Sequence, residues 1–284
     1  MNLIPFALAL SAAFLWGLAQ SVGKVCMRDL NTITFNAIRF SSIAIVLTPL
    51  LLITGTGLVS NWSVFLAIIS GVVALFFATG LYFYCMKRAP AYSTITIANS
   101  SPIWAVLMAT LLLGEVITPI IILSLALVVW GAYLLVPKNK ENNKYGLAVP
   151  LTMFVSVVWG LNQVIRKSGV DAGMEVMPFL WVSVIFAAVL FNLTAGLSNS
   201  WKNQHLSKTV LGLSVFSGLT GQLIGNFLYI SALEFEGVSN LAPFISATIP
   251  FGFLMSVLIV GERPSKKSVI GMFIVFLGVA LAAL

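Results

Sequence analysis

The sequence predicts an all-α integral membrane protein, with ten transmembrane helices arranged as two inverted five-helix repeats. Three observations predict it. The 284-residue chain is 60% hydrophobic and 8% charged, with a mean hydropathy of +1.05, whereas soluble domains carry about 25% charged residues. Its apolar residues fall in runs of about 20, the length a helix needs to cross about 30 Å of hydrocarbon. Residues Trp16-Gly-Leu-Ala-Gln20-Ser-Val-Gly-Lys24 return 143 positions later as Trp159-Gly-Leu-Asn-Gln163-Val-Ile-Arg-Lys167.

The runs follow in order at 3–22, 32–53, 63–86, 91–113 and 117–136. A polar link containing Lys138, Lys140, Glu141 and Lys144 precedes 146–165, 176–197, 209–233, 238–260 and 267–284. Barrel strands are shorter and alternate apolar with polar. A long uniform run in lipid satisfies its own backbone hydrogen bonds only as a helix. The first run lacks a basic leader and a small-residue cleavage site before a polar domain, so it reads as a retained helix rather than a signal peptide.

The repeat extends beyond its first motif. Gly114-Glu115 closes the fourth run and Gly261-Glu262 the ninth, 147 positions apart. At that offset Thr79 matches Asn226, Tyr82 matches Tyr229, and Asn99 matches Ser246. The repeats divide as 1–140 and 141–284. Five is odd, so the second copy enters the membrane from the opposite face, as in inverted-repeat transporters.

Twelve of the fifteen Lys and Arg residues lie in connections 1–2, 3–4, 5–6, 7–8 and 9–10; Arg166 and Lys167 lie on the opposite side, and Arg39 within a run. Basic residues favour the cytoplasmic face, which predicts both termini outside a multi-pass inner or plasma membrane protein. The net charge of +7 is then a topology signal, and no nucleic acid partner is expected.

Polar side chains inside hydrocarbon are costly and mark sites. In the first helix Trp16 and Gln20 share a face; in the sixth, Trp159 does so with Asn162 and Gln163. Gln222, Asn226 and Tyr229 form an i, i+4, i+7 stripe in the eighth, and Thr79 and Tyr82 answer them in the third. With Asn99 and Ser246 these are the candidate solute-binding residues, a set of amides between aromatic walls suited to a small amphipathic solute. The competing reading is interhelical packing through amide hydrogen bonds and close glycines. Pro102 and Pro250, near the centres of the fourth and ninth runs, are candidate hinges, because each removes a backbone donor and kinks a helix. Arg39 is the intramembrane charge, read as snorkelling or paired, or as a solute-binding or ion-pairing group. Trp181 stands at its corresponding point in the second half.

Phe14-Leu-Trp-Gly17, Ile38-Arg39-Phe40 and Leu113-Gly114-Glu115, in this order over ten spans, resemble the EamA-domain proteins of the drug/metabolite transporter superfamily. The resemblance implies export of amino acids, aromatic ones included, or of other metabolites. It also implies a central cavity ringed by helices 1, 3, 4, 6, 8 and 9. Ten-helix relatives are usually drawn with cytoplasmic termini, opposite to the charge count here. Small four-helix relatives bind protons and cations through a carboxylate in the first helix, and this first helix has no acid.

Other function classes fit less well. An intramembrane enzyme needs a metal set, paired aspartates or an activated serine. The single histidine, His205, falls in connection 7–8, and Asp29 and Asp171 fall outside the runs. A receptor-like protein gives an inverted duplication no evident purpose. Cys26 and Cys85 read as small apolar side chains. No metal or cofactor is expected; the partners are a small-molecule solute and the bilayer, and the functional unit is a monomer.

Overall fold

The computed structural model describes residues 3–55, 60–135, 147–202, 204 and 206–282. Eight helices among them have the length and composition to cross a bilayer. They are α1 (Ile4–Cys26), α2 (Thr32–Thr54), α3 (Asn61–Arg88), α4 (Ala91–Leu113), α6 (Ala148–Asp171), α7 (Val176–Leu197), α8 (Lys208–Phe235) and α9 (Val238–Val260). Two shorter helices complete the order, the apolar α5 (Pro119–Leu135) and α10 (Lys266–Leu281). Ten full spans were expected. At 17 and 16 residues, α5 and α10 rise only about 26 and 24 Å, and residues 136–146, including Lys138, Lys140, Glu141 and Lys144, lie outside the described residues, as does His205.

Local chemistry sets the helix ends. Asn31, Ser60, Ser207 and Ser265 accept from the first free N–H groups of α2, α3, α8 and α10, the usual work of short polar side chains at an N-terminus. Gly114 (φ 69°) and Gly261 (φ 78°) end α4 and α9 in the left-handed conformation, which glycine adopts without Cβ strain. The sixth helix runs six residues past the end of its apolar run. Lys167 stays helical there because it pairs with Asp171 at 2.9 Å and donates to the Leu233 carbonyl.

Helices α3 and α8 are wound as π-helix over Ser70–Ala78 and Gly218–Gly225. These stretches occupy matched positions, and π turns concentrate at functional sites. Each brings a glycine against the neighbouring helix. A Cβ on Gly71 would collide with the Ser183 carbonyl oxygen, and one on Gly218 would sit 2.9 Å from the Arg39 carbonyl oxygen. Ser183, rather than Trp181, is therefore the structural counterpart of Arg39; Trp181 donates to Thr48 Oγ1 at 3.0 Å.

Helices α4 and α9, the latter ending in a further π segment, Ser256–Val260, each carry a break at matched positions, Asn99–Ser100 and Ser246–Ala247. Pro102 and Pro250 stand in the first turn of the segment that follows, where a missing N–H costs nothing. The interruption thus precedes each proline instead of centring on it. Pro49 and Pro243 also lie within helices. Lipid-facing positions carry residues such as Leu52, Ile53 and Leu111, each more than three-quarters exposed. Stacked Phe40 and Phe191, with Phe179, fill the core where α2 and α7 meet.

Candidate functional site

A cavity of about 70 Å³ lies among α1, α3, α4, α6, α8 and α9. Trp16 and Gln20 reach it from α1, and Trp159, Asn162 and Gln163 from α6. Thr79, Asn99, Gln222 and Asn226 complete the polar wall anticipated from the sequence. Their hydrogen bonds hold the amides in place. Gln20 Oε1 accepts from the Tyr82 hydroxyl and from Asn99 Nδ2, both at 2.9 Å. In the other half Gln163 Oε1 accepts from the Tyr229 hydroxyl at 2.8 Å, and its Nε2 faces Ser101 Oγ at 3.5 Å. Asn226 Nδ2 donates to Gln222 Oε1 at 2.8 Å, and Thr79 Oγ1 donates to the Ala74 carbonyl five residues back, across the π turn.

Tyr82 and Tyr229 are fully buried and stand behind the wall. Their hydroxyls fix the glutamines, and their rings back the tryptophans of the opposite half: Tyr82 lies 4.9 Å from Trp159, and Tyr229 lies 5.5 Å from Trp16. Ser246 does not reach the cavity either. It is fully buried and donates to the Ala242 carbonyl, one turn back. The eighth-helix stripe is split between wall and backing: Gln222 lies in the π segment and Asn226 directly follows it, and the wider i→i+5 turn rotates the face less per residue than an α-helix does.

Arg39 is 1% exposed and does not snorkel to either interface. Its guanidinium lies 5.0 and 4.8 Å from the centres of the Phe35 and Phe83 rings and donates to Asn36 Oδ1 at 3.0 Å. Cation–π contact and one amide acceptor replace part of its hydration, with Nε left without a partner among the described residues, and Arg39 is not part of the cavity wall.

Arg166 is part of that wall, with Ser101, Ala74, Leu75 and Ile245. Read along the sequence, Arg166 looks like a connection charge beside Lys167. The helix in fact continues to Asp171, and Arg166 shares the face of Asn162 one turn away. The spacing from Asn162 was the available signal.

Each half also closes the other. Glu115, after α4, accepts from the Val238 and Ser239 N–H groups at the start of α9, at 2.9 and 2.8 Å. Glu262, after α9, accepts from the Ala91 and Tyr92 N–H groups at the start of α4, at 2.6 and 3.0 Å. A carboxylate on free N–H groups at the positive end of a helix is favourable. Lys24 donates to the Met86 and Ala89 carbonyls at the end of α3, as Lys167 does to Leu233 at the end of α8.

The model of the EamA-like transporter family matches residues 3–136 and again 146–284. The chain belongs to the EamA-like transporter family. As an EamA-like protein it is similar, at 22% identity over 99% of both chains, to an uncharacterized transporter of Archaeoglobus fulgidus. A solved crystal structure has the same fold, with a TM-score of 0.80 at 19% identity, covering 99% of this chain and 98% of the other. This is a multi-pass membrane protein of a transporter family.

Proposed function

We propose that the protein is a secondary carrier that moves a small organic metabolite, an amino acid or similar amphipathic solute with aromatic ones included, through the central cavity by alternating access. Export is the direction the family resemblance favours. The observation that carries the reading is the cavity wall itself, built from matched tryptophans and glutamines of both halves and backed by buried tyrosines. At about 70 Å³ the space is far below the 300–1,000 Å³ typical of ligand pockets, so passage requires the halves to part.

Two antiparallel five-helix repeats, 1–140 and 141–284, are the architecture that best accounts for the crossed glutamate caps. The end of α4 meets the start of α9, and the end of α9 meets the start of α4. Parting the halves at one end would break one cap and leave the other, which gives the two states distinct contacts. The broken centres of α4 and α9, beside Pro102 and Pro250, are the hinges. The termini lie outside the cell membrane, the unit is a monomer, and neither cofactor nor chemical step is involved.

Flux into proteoliposomes holding the full chain tests this. Saturable uptake of an amino acid such as phenylalanine, reduced at least tenfold in Asn226→Leu, is expected. Uptake equal to that of empty liposomes across amino acids and small metabolites would contradict it.

A further inference from the structure

The two copies of the Trp-Gly-Leu motif differ in polar character at two cavity-side positions. Ala19 and Gly23 of the first copy are replaced by Asn162 and Arg166 in the second. The shared glutamines each accept a buried tyrosine hydroxyl, and the shared lysines donate to backbone carbonyls. At the two positions that differ, Asn162 Oδ1 and Arg166 Nε are buried atoms without a hydrogen-bond partner among the described residues. Arg166 is 6% exposed and Asn162 4%, and both line the cavity. Among the described residues no other charged side chain lines it. The acid nearest in sequence, Asp171, is engaged by Lys167 in the one ion pair found among the described residues.

A guanidinium held out of water with neither carboxylate nor carbonyl is costly. Arg39, equally buried and likewise with an unpartnered Nε, has Asn36 and two aromatic faces; among the described residues Arg166 has neither an amide acceptor nor an aromatic face. A planar carboxylate is the group that fits a guanidinium fork with two parallel hydrogen bonds. One fixed positive charge balances one negative charge. A cationic solute would meet repulsion with no acid to offset it, and a dianion would leave one charge uncompensated in low dielectric.

We infer that the transported solute carries a carboxylate, which docks on Arg166 with Asn162 as its neighbouring polar contact. This rests on the carrier reading above and narrows its substrate class. The carboxylate site is supplied by the second half alone, because Gly23 in the first has Phe83 packed over it, 2.5 Å from where a Cβ would stand.

Thermal stabilisation of the purified full-length protein by shape-matched probes tests the assignment: 3-phenylpropanoate, 3-phenylpropanamide and 3-phenylpropylamine, with butyrate, butyramide and butylamine, and phenyl phosphate. Carboxylates should stabilise the wild type and the amines should not. Half-saturation should rise at least tenfold in Arg166→Gln and less in Arg166→Lys. If Arg166→Gln does not fold, selectivity among the wild-type probes still decides. Stabilisation by amides or amines equal to that by carboxylates, by phenyl phosphate above all carboxylates, by no carboxylate, or unchanged in Arg166→Gln would each overturn the inference. Amine or amide flux in wild-type proteoliposomes, equal to carboxylate flux and unchanged in Arg166→Gln, would sink the carboxylate site and keep the carrier. Arg166-dependent carboxylate binding without flux would do the reverse.

Discussion

The segments Trp16–Lys24 and Trp159–Lys167 carry the same scaffold and different chemistry. Gln20 and Gln163 each accept a buried tyrosine hydroxyl, and Lys24 and Lys167 each bind carbonyls at the end of the helix two spans on, or, for α6, at the end of α8. Gly17 lies against Gly252 as Gly160 lies against Ala105, its partner at the 147-residue offset. What differs is what faces the cavity. The first segment presents Gln20 alone beside Trp16; the second adds Asn162 and Arg166. The two segments share the contacts that hold the halves together, and they differ at Asn162 and Arg166, whose Oδ1 and Nε have no partner among the described residues.

The comparison breaks most violently if the first copy is given the charge of the second. Gly23→Arg must displace Phe83 from a fully packed site, a penalty above the 1–3 kcal/mol, about, of ordinary overpacking. Loss of folded protein on size-exclusion chromatography is expected, and a well-folded variant would show that the halves are more alike than their packing implies. Next, Gln20→Leu strands the Tyr82 hydroxyl and removes one of the two acceptors of Asn99 Nδ2, which keeps the Ile95 carbonyl, while Gln163→Leu strands the Tyr229 hydroxyl and loosens only a 3.5 Å contact. At about 1–3 kcal/mol for each stranded group, Gln20→Leu should lower the melting temperature more than Gln163→Leu. Equal shifts would contradict the asymmetry.

The glutamate caps should cost less and cost the same. Glu115→Gln and Glu262→Gln each weaken a cap worth about 0.5–2 kcal/mol. The double variant should be additive within about 0.5 kcal/mol in unfolding measurements, because distant sites add. Strong non-additivity would mean that the two ends are coupled within one state. The smallest effect belongs to Asp171→Asn. It removes a half-exposed helix pair worth about 0.3–0.5 kcal/mol, so a drop in melting temperature larger than for either cap variant would place Asp171 in a network with Arg166.

The repeat and most of the polar wall were legible because intramembrane amides at helical spacing are rare and face inward. Trp16, Gln20, Asn162 and Gln222 follow from that rule alone. Tyr82 and Tyr229 share the face of the wall residues but are drawn back by hydrogen bonds to glutamines in other helices, which no single-helix pattern encodes. Ser246 satisfies itself on its own backbone. Arg166 was hidden by its neighbours: next to Lys167 and near Asp171, it reads as a connection charge until the helix is seen to continue. The π turns of α3 and α8 have no signature in hydropathy, since widening a turn changes no residue's polarity. Arg39 looked free to snorkel because one of the two rings that hold it, Phe83, comes from α3, whereas Phe35 stands one turn back on α2 itself.

The central claim is that the cavity opens alternately to the two sides of the membrane. Its most direct test is a single cysteine at Gln222 in a background with Cys26 and Cys85 replaced by alanine, probed with an impermeant maleimide in vesicles of each orientation. Labelling from both sides, with the fraction from each side shifted in opposite directions by Glu115→Gln and Glu262→Gln, is the predicted result. Labelling from one side only, or from neither, would contradict the account.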